Sequence, residues 1–151
     1  MNNTKERTRT MDILILIITI LIIINLIGDK FINGFKESQA KSYITSANGL
    51  VEKAKTAKAE EISVMEDNSF LVVSVCDISK DTSPFNNSKY VCDYSYVVIS
   101  KSLGQIVYSI QLLDEKGNAL PYNYKTLLSY KQIIYNASKK DLKSISEVNV
   151  N

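Results

Sequence analysis

Cys76 and Cys92 are the residues of this chain best suited to covalent chemistry, and each stands in the same triplet, Val-Cys-Asp. The chain contains no histidine. Two thiols alone cannot complete a tetrahedral zinc site. The spacing is not C-x-x-C, which removes a thioredoxin-type redox pair. Two states remain open. One is a disulfide closing a loop of about sixteen residues, worth about 3 kcal/mol in the chain-entropy account. It would place this part of the chain in an oxidising compartment. The other is a pair of buried free thiols. The disulfide is the reading carried forward.

Other chemistry is scarce. Without histidine the commonest general acid–base and metal designs fall away. No phosphate-cradling glycine loop, dinucleotide fingerprint or nucleophile elbow occurs. The acidic pairs Glu60/Glu61, Glu66/Asp67 and Asp114/Glu115 are adjacent in sequence. Neighbours point apart, so they read as solvated surface. Eight of the nine tyrosines follow residue 89, as expected of a half-buried sheet. From Asp29 onward 15 lysines face 14 acids. That near neutrality argues against nucleic acid as a partner. The expectation is a protein of assembly or display, not an enzyme. It has no cofactor, no catalytic or metal-binding residues, and no small-molecule substrate.

The element that must position everything else is ILILIITILIIINLI, Ile13–Ile27. It carries no charge, and only Thr19 and Asn25 are polar. Fifteen helical residues span roughly 22 Å, against about 30 Å of hydrocarbon. Met11, Asp12 and Gly28 extend it to a transmembrane helix over 11–28, with some bilayer thinning. A cleaved signal peptide needs small residues before its cut, and the sites near Leu26–Gly28 and Ile32–Gly34 fit poorly. A soluble core helix would be apolar on one stripe, not all round. Lysines and arginines nearly balance across the span, so orientation rests on the cysteines. The expectation is a single-pass membrane protein in contact with lipid, its C-terminal domain extracytoplasmic.

Around the span, residues 1–10 read as a polar tail. Residues 29–61 read as an amphipathic helix continuing the span. From Tyr43 the apolar positions Ala47, Leu50, Ala54 and Ala57 recur at steps of four and three. A helix from Ile13 to Glu61 would be roughly 74 Å long. Residues 62–135 then read as an antiparallel sheet head. Its strands are Phe70–Cys76, Tyr94–Ser100 and Gln105–Leu113, the last two forming a hairpin. Ile78–Lys89 reads as a polar loop, and Tyr124–Tyr135 as either a strand or a short helix. Residues 136–151 read as a polar C-terminal tail. An amphipathic helix must bury its stripe, and the nearest apolar surface is one face of the sheet. The fold class expected is α+β, a long N-terminal helix packed on a small antiparallel sheet.

This layout resembles the type IV pilins and pseudopilins. A short basic N-terminus, an apolar helix, its amphipathic continuation (SYITSANGLVEKAKTAKAEE) and an antiparallel sheet (SYVVISKSLGQIVYSIQLLD) with a disulfide follow in the same order. The resemblance spans roughly Thr10–Leu120. Where that family carries Gly-Phe-Thr-Leu-x-Glu, this chain reads Arg7-Thr-Arg-Thr-Met-Asp12. Asp12 is the only acid where the family has its glutamate, and the glycine and phenylalanine are absent; the departure implies a divergent minor pseudopilin, or a pilin-like protein that stays in the membrane, over a major pilin. The resemblance implies a structural subunit of an envelope filament, secretion or DNA-uptake apparatus, with other pilin-like subunits or membrane assembly proteins as partners. The residues implied in subunit assembly are Asp12, Ile13, Ile17, Ile20 and Ile24. Asp12 would pair with a neighbouring subunit's N-terminal amine. The alternative for Asp12 is a headgroup position at the helix N-terminus, where the dipole favours an anion. The alternative for the whole chain is a stand-alone, membrane-tethered extracytoplasmic binding domain.

Overall fold

The computed structural model describes residues 2–124 and 127–149, and of residues 2–11, Leu26 and Asp29 the backbone alone. Helix α1 runs Asn2–Ala57, and a short α2 follows at Ala59–Ser63. Asn2–Thr10 contains neither glycine nor proline, so nothing local stops the helix short of the apolar run. The chain divides into two compact units, Met1–Ser38 and Gln39–Asn151. The division lies ten residues past Gly28, where sequence patterning placed the end of the span.

In the second unit the buried stripe of α1 is Ala40, Tyr43, Ala47, Leu50, Val51 and Ala54. It starts three residues before the expected Tyr43 and stops short of Ala57, which is exposed. Three of its six members are alanines, which lets the helix backbone lie close to whatever it covers. It covers a sheet of four antiparallel strands in the order β1-β2-β3-β4. These are β1 (Phe70–Ser74), β2 (Tyr96–Ser102), β3 (Gln105–Leu113) and β4 (Ala119–Tyr124). Strand periodicity sends Val73, Val97, Ile99, Ile110, Leu112 and Leu120 to the helix side, where they join the α1 stripe in one core. The fold is therefore the expected α+β arrangement.

Three boundaries differ from the sequence reading, each for a local reason. The first strand ends at Ser74, and Val75–Ile78 turns into a one-turn helix α3 that carries Cys76. The second strand starts at Tyr96, because Cys92–Tyr94 forms a 3-10 turn. The fourth strand, Ala119–Tyr124, contains Pro121. β4 is an edge strand, where the missing N–H of proline is tolerated. The β2–β3 hairpin turns through Leu103 (φ 51°) and Gly104 (φ 75°). Both φ values are positive, as a two-residue type I′ turn demands. The Gly104 N–H donates to Asp67 Oδ1 at 3.0 Å, which ties the turn to the segment before β1.

The C-terminal segment is part of the fold and not a loose polar tail. Leu142 is buried against Leu113 and Ala119. Gln111 lies on the sheet face away from α1. Its Nε2 donates to Lys143 O at 2.7 Å and to Tyr94 O at 3.1 Å. Lys143 N–H returns a bond to Gln111 Oε1 at 3.3 Å, and Tyr96 Oη donates to Lys143 O at 3.1 Å. A short helix α4 (Ile145–Val148) then starts at a capping box made by Ser144 and Glu147.

Candidate functional site

Among the described residues, one helix is long and apolar enough to cross a membrane, and its apolar run Ile13–Ile27 lies in the first unit. The side chains of its apolar window are exposed on every face. Ile13, Ile17, Ile20 and Ile24, the residues implied in assembly, are 53, 50, 47 and 60% exposed. Ile15, Leu16, Leu21 and Ile23 on the intervening faces are exposed to a similar extent. A contiguous exposed apolar surface of this extent marks a membrane or protein interaction site. Both polar residues of the run bond back to the preceding turn. Thr19 Oγ1 donates to Ile15 O, and one N–H of Asn25 Nδ2 donates to Leu21 O, both at 2.8 Å. Asp12 lies ten residues inside α1 and not at its start. The N-terminal dipole acts within the first turn, so the headgroup alternative for Asp12 loses that support.

In the second unit, Cys76 and Cys92 form the disulfide, with S–S 2.06 Å and Cα–Cα 5.5 Å. It joins α3 to the 3-10 turn before β2 and closes the loop read from sequence as polar coil. That loop is a strap over α1. Phe85 is 5% exposed and sets its ring 5.5 Å from the ring of Tyr43. Gln39 Nε2 donates to Pro84 O at 3.3 Å, and Lys53 Nζ donates to Ser79 Oγ at 3.0 Å and to Asp81. The Lys53 ammonium and the Ser79 hydroxyl hold the Asp81 carboxyl below its usual range. Both partners are about half exposed, so this pair adds less than about 1 kcal/mol.

Beneath the strap lies the strongest polar centre of the head. Asp114 is 1% exposed; reading Asp114/Glu115 as a solvated pair is therefore corrected for the first of them. Its Oδ1 accepts from the N–H groups of Lys116 and Asn118, each at 2.9 Å. Its Oδ2 accepts from Ser83 Oγ at 2.7 Å and Asn118 Nδ2 at 3.0 Å. Tyr43 Oη donates to Asn118 O at 3.1 Å. One carboxylate thus joins the strap, the β3–β4 turn and helix α1. All of its partners are donors of this chain, which makes it a structural node. Among the described residues, no cluster of acids and cysteines could hold a metal ion.

Three buried phenols follow from this packing. Burial pushes Tyr43 and Tyr90 well above the usual tyrosine range, and nearby Asp114 adds to both. Tyr96 is pushed up to about 12 by burial, with Tyr122 and Glu147 contributing. A phenol whose folded value is raised releases its proton first in the unfolded chain, near pH 10. Stability is therefore unaffected below about pH 10 and falls as pH rises toward 12. Tyrosinate absorbance followed against circular dichroism checks this. The buried phenols are expected to ionise together with unfolding. A smooth titration of all nine tyrosines before any loss of structure contradicts it.

The outer face of the sheet carries a groove of about 580 Å³, lined by Phe70, Val98, Tyr122, Tyr124, Asp141 and Lys143 among others. Its volume lies within the range of small-ligand sites. Tyr122 and Tyr124 are 42 and 55% exposed, with ring centroids 6.0 Å apart. The register places Ser109 in the same row, between Val98 and Tyr124. Ser109 Oγ is buried with no hydrogen-bond partner among the described residues. Sequence reading placed the tyrosines in the sheet region but had no signal for Asp141 and Lys143. Lys143 is held there by bonds between its main chain and the side chains of Gln111 and Tyr96. No family model matches this chain, and neither the curated proteins nor the solved structures contain a match to it.

Proposed function

We propose that this protein is a membrane-anchored, pilin-like structural subunit whose apolar helix bundles with those of other subunits. The observation that carries the reading is the apolar surface of Ile13–Ile27, exposed on all sides, followed in the same helix by a stripe that packs on a four-stranded antiparallel sheet. The disulfide supports an extracytoplasmic head, because such bonds persist in oxidising compartments. In this reading the work is done by packing and not by catalysis. Ile13, Ile17, Ile20 and Ile24 meet neighbouring helices, and Asp12 pairs with a neighbour's amine to set the stagger. A carboxylate at the edge of the hydrocarbon is stabilised by such a partner.

The test is photo-crosslinking from positions 17 and 24 in native membranes. Crosslinks to other apolar helices are expected. Asp12→Ala is expected to remove co-purifying subunits and leave membrane insertion intact; unchanged recovery of partners would count against the role of Asp12. The groove on the outer sheet face favours a second reading, a lone tethered domain that binds a partner through the head. Crosslinks from positions 17 and 24 to lipid alone select that reading.

A further inference from the structure

We propose that the lipid-facing part of α1 runs beyond Gly28 and takes in Phe31, Ile32 and Phe35, with the acyl–headgroup boundary as their partner. This rests on the membrane-anchored reading and names where its contact ends. Phe31, Ile32 and Phe35 are 76, 53 and 58% exposed. Residues three and four apart share a helix face, so the three form one continuous patch. A Cβ at Gly28 or Gly34 would meet nothing within 4 Å. The first buried residue after the patch is Ala40, and the second compact unit starts at Gln39. The patch therefore belongs to the apolar helix and not to the core of the head.

Length decides what covers it. The span over 11–28 is eighteen residues, about 27 Å of helix, short of the roughly 30 Å hydrocarbon layer. Ile13–Ile32 is twenty residues, about 30 Å, and needs no thinning. Asp29 and Lys30 then fall in the last turn, where the cost of a charge drops toward the interface and a lysine can extend its ammonium to the headgroups. Phe35 and Lys36 follow one turn later, an aromatic ring and a cation at the level where bilayers favour them. An alternative cover, a neighbouring subunit's helix, would leave the roughly 3 Å shortfall of the shorter span unrelieved.

The chain has no tryptophan, so single-tryptophan variants report depth without background. The probe is the full chain in vesicles of phosphatidylethanolamine and phosphatidylglycerol carrying nitroxide lipids labelled shallow or deep. Ile20→Trp is the reference. It is expected to be quenched by the deep label. Phe31→Trp and Phe35→Trp are expected to be blue-shifted, quenched by the shallow label, and shielded from aqueous iodide. If position 20 is quenched but 31 and 35 emit as in water, the extension is wrong and the anchor stands. If position 20 is also unquenched, the membrane reading itself fails. Because tryptophan itself favours the interface, the unaltered chain provides the second measurement. Hydrogen exchange in unlabelled vesicles is expected to protect the amides of residues 29–35 as strongly as those of 20–28. Exchange there as fast as in the exposed turn at Leu103 would overturn the proposal.

Discussion

Asp114→Ala lowers the unfolding free energy of the head by about 3 kcal/mol or more. Hydrogen bonds to a charged group contribute about 1.5–3 kcal/mol each, and buried donors left unpaired add to the loss. The substitution strands Ser83 Oγ, Asn118 Nδ2 and two backbone N–H groups at once. Tyr43 Oη would lose its alignment too, because its acceptor is the carbonyl of Asn118. Asp114→Asn is expected to cost less, about 1–2 kcal/mol, because the amide oxygen still serves the two backbone donors. Denaturant unfolding of the detergent-solubilised chain, followed by far-ultraviolet circular dichroism, ranks the two variants. Equal midpoints for wild type and Asp114→Ala would show that the carboxylate is not the node the geometry describes.

Removal of the disulfide has the next largest expected effect. The pair Cys76→Ala with Cys92→Ala reopens a loop of sequence separation 16, which costs about 3 kcal/mol in the chain-entropy account. For a unit the size of the head, that lowers Tm by about 10 °C or more. The loss falls on the strap first. Phe85 and the Gln39 and Lys53 contacts hold it to α1, and its two ends are joined covalently through Cys76 and Cys92, with a weaker bond from Ser74 Oγ to Cys92 O at 3.4 Å. Reductant added to the unaltered chain should reproduce the variant. Calorimetry comparing the oxidised, reduced and double-alanine forms checks this. Coincident transitions for all three would mean that the bond carries no share of the stability.

The two predictions act on the same region from opposite sides. Asp114 secures the strap through its middle, at Ser83, and the disulfide secures its ends. Their effects are not expected to add, because each variant releases contacts the other also depends on. Together they describe a loop whose composition is that of solvent-exposed coil but whose Ser83, Phe85 and Ser88 are buried.

Local patterning alone was sufficient for several features of this protein. The apolar run at Ile13–Ile27 needs no context, because helix length and apolar composition are read directly from the residues. The period of the α1 stripe from Tyr43 to Ala54 and the alternation in Gln105–Leu113 were legible for the same reason: each is a repeat that matches one backbone geometry. Ile106, Tyr108 and Ile110 alternate along that strand, and the structure puts Ile110 in the core with Ile106 and Tyr108 packed against it. The pairing of Cys76 with Cys92 was legible as one of two states, and only the folded chain decided it. What tertiary structure alone determined is the polar interior. Asp114, Ser83 and Asn118 look like turn residues in sequence, and burial turns them into a joint because three distant segments converge there. Likewise Gln111 captures the backbone at Lys143 across 32 residues, a contact made by main-chain groups that every sequence possesses alike. Periodicity reports which side of an element is apolar. It carries no information about which distant backbone will arrive to satisfy a buried polar group, and at those positions the arrangement of the whole chain decides.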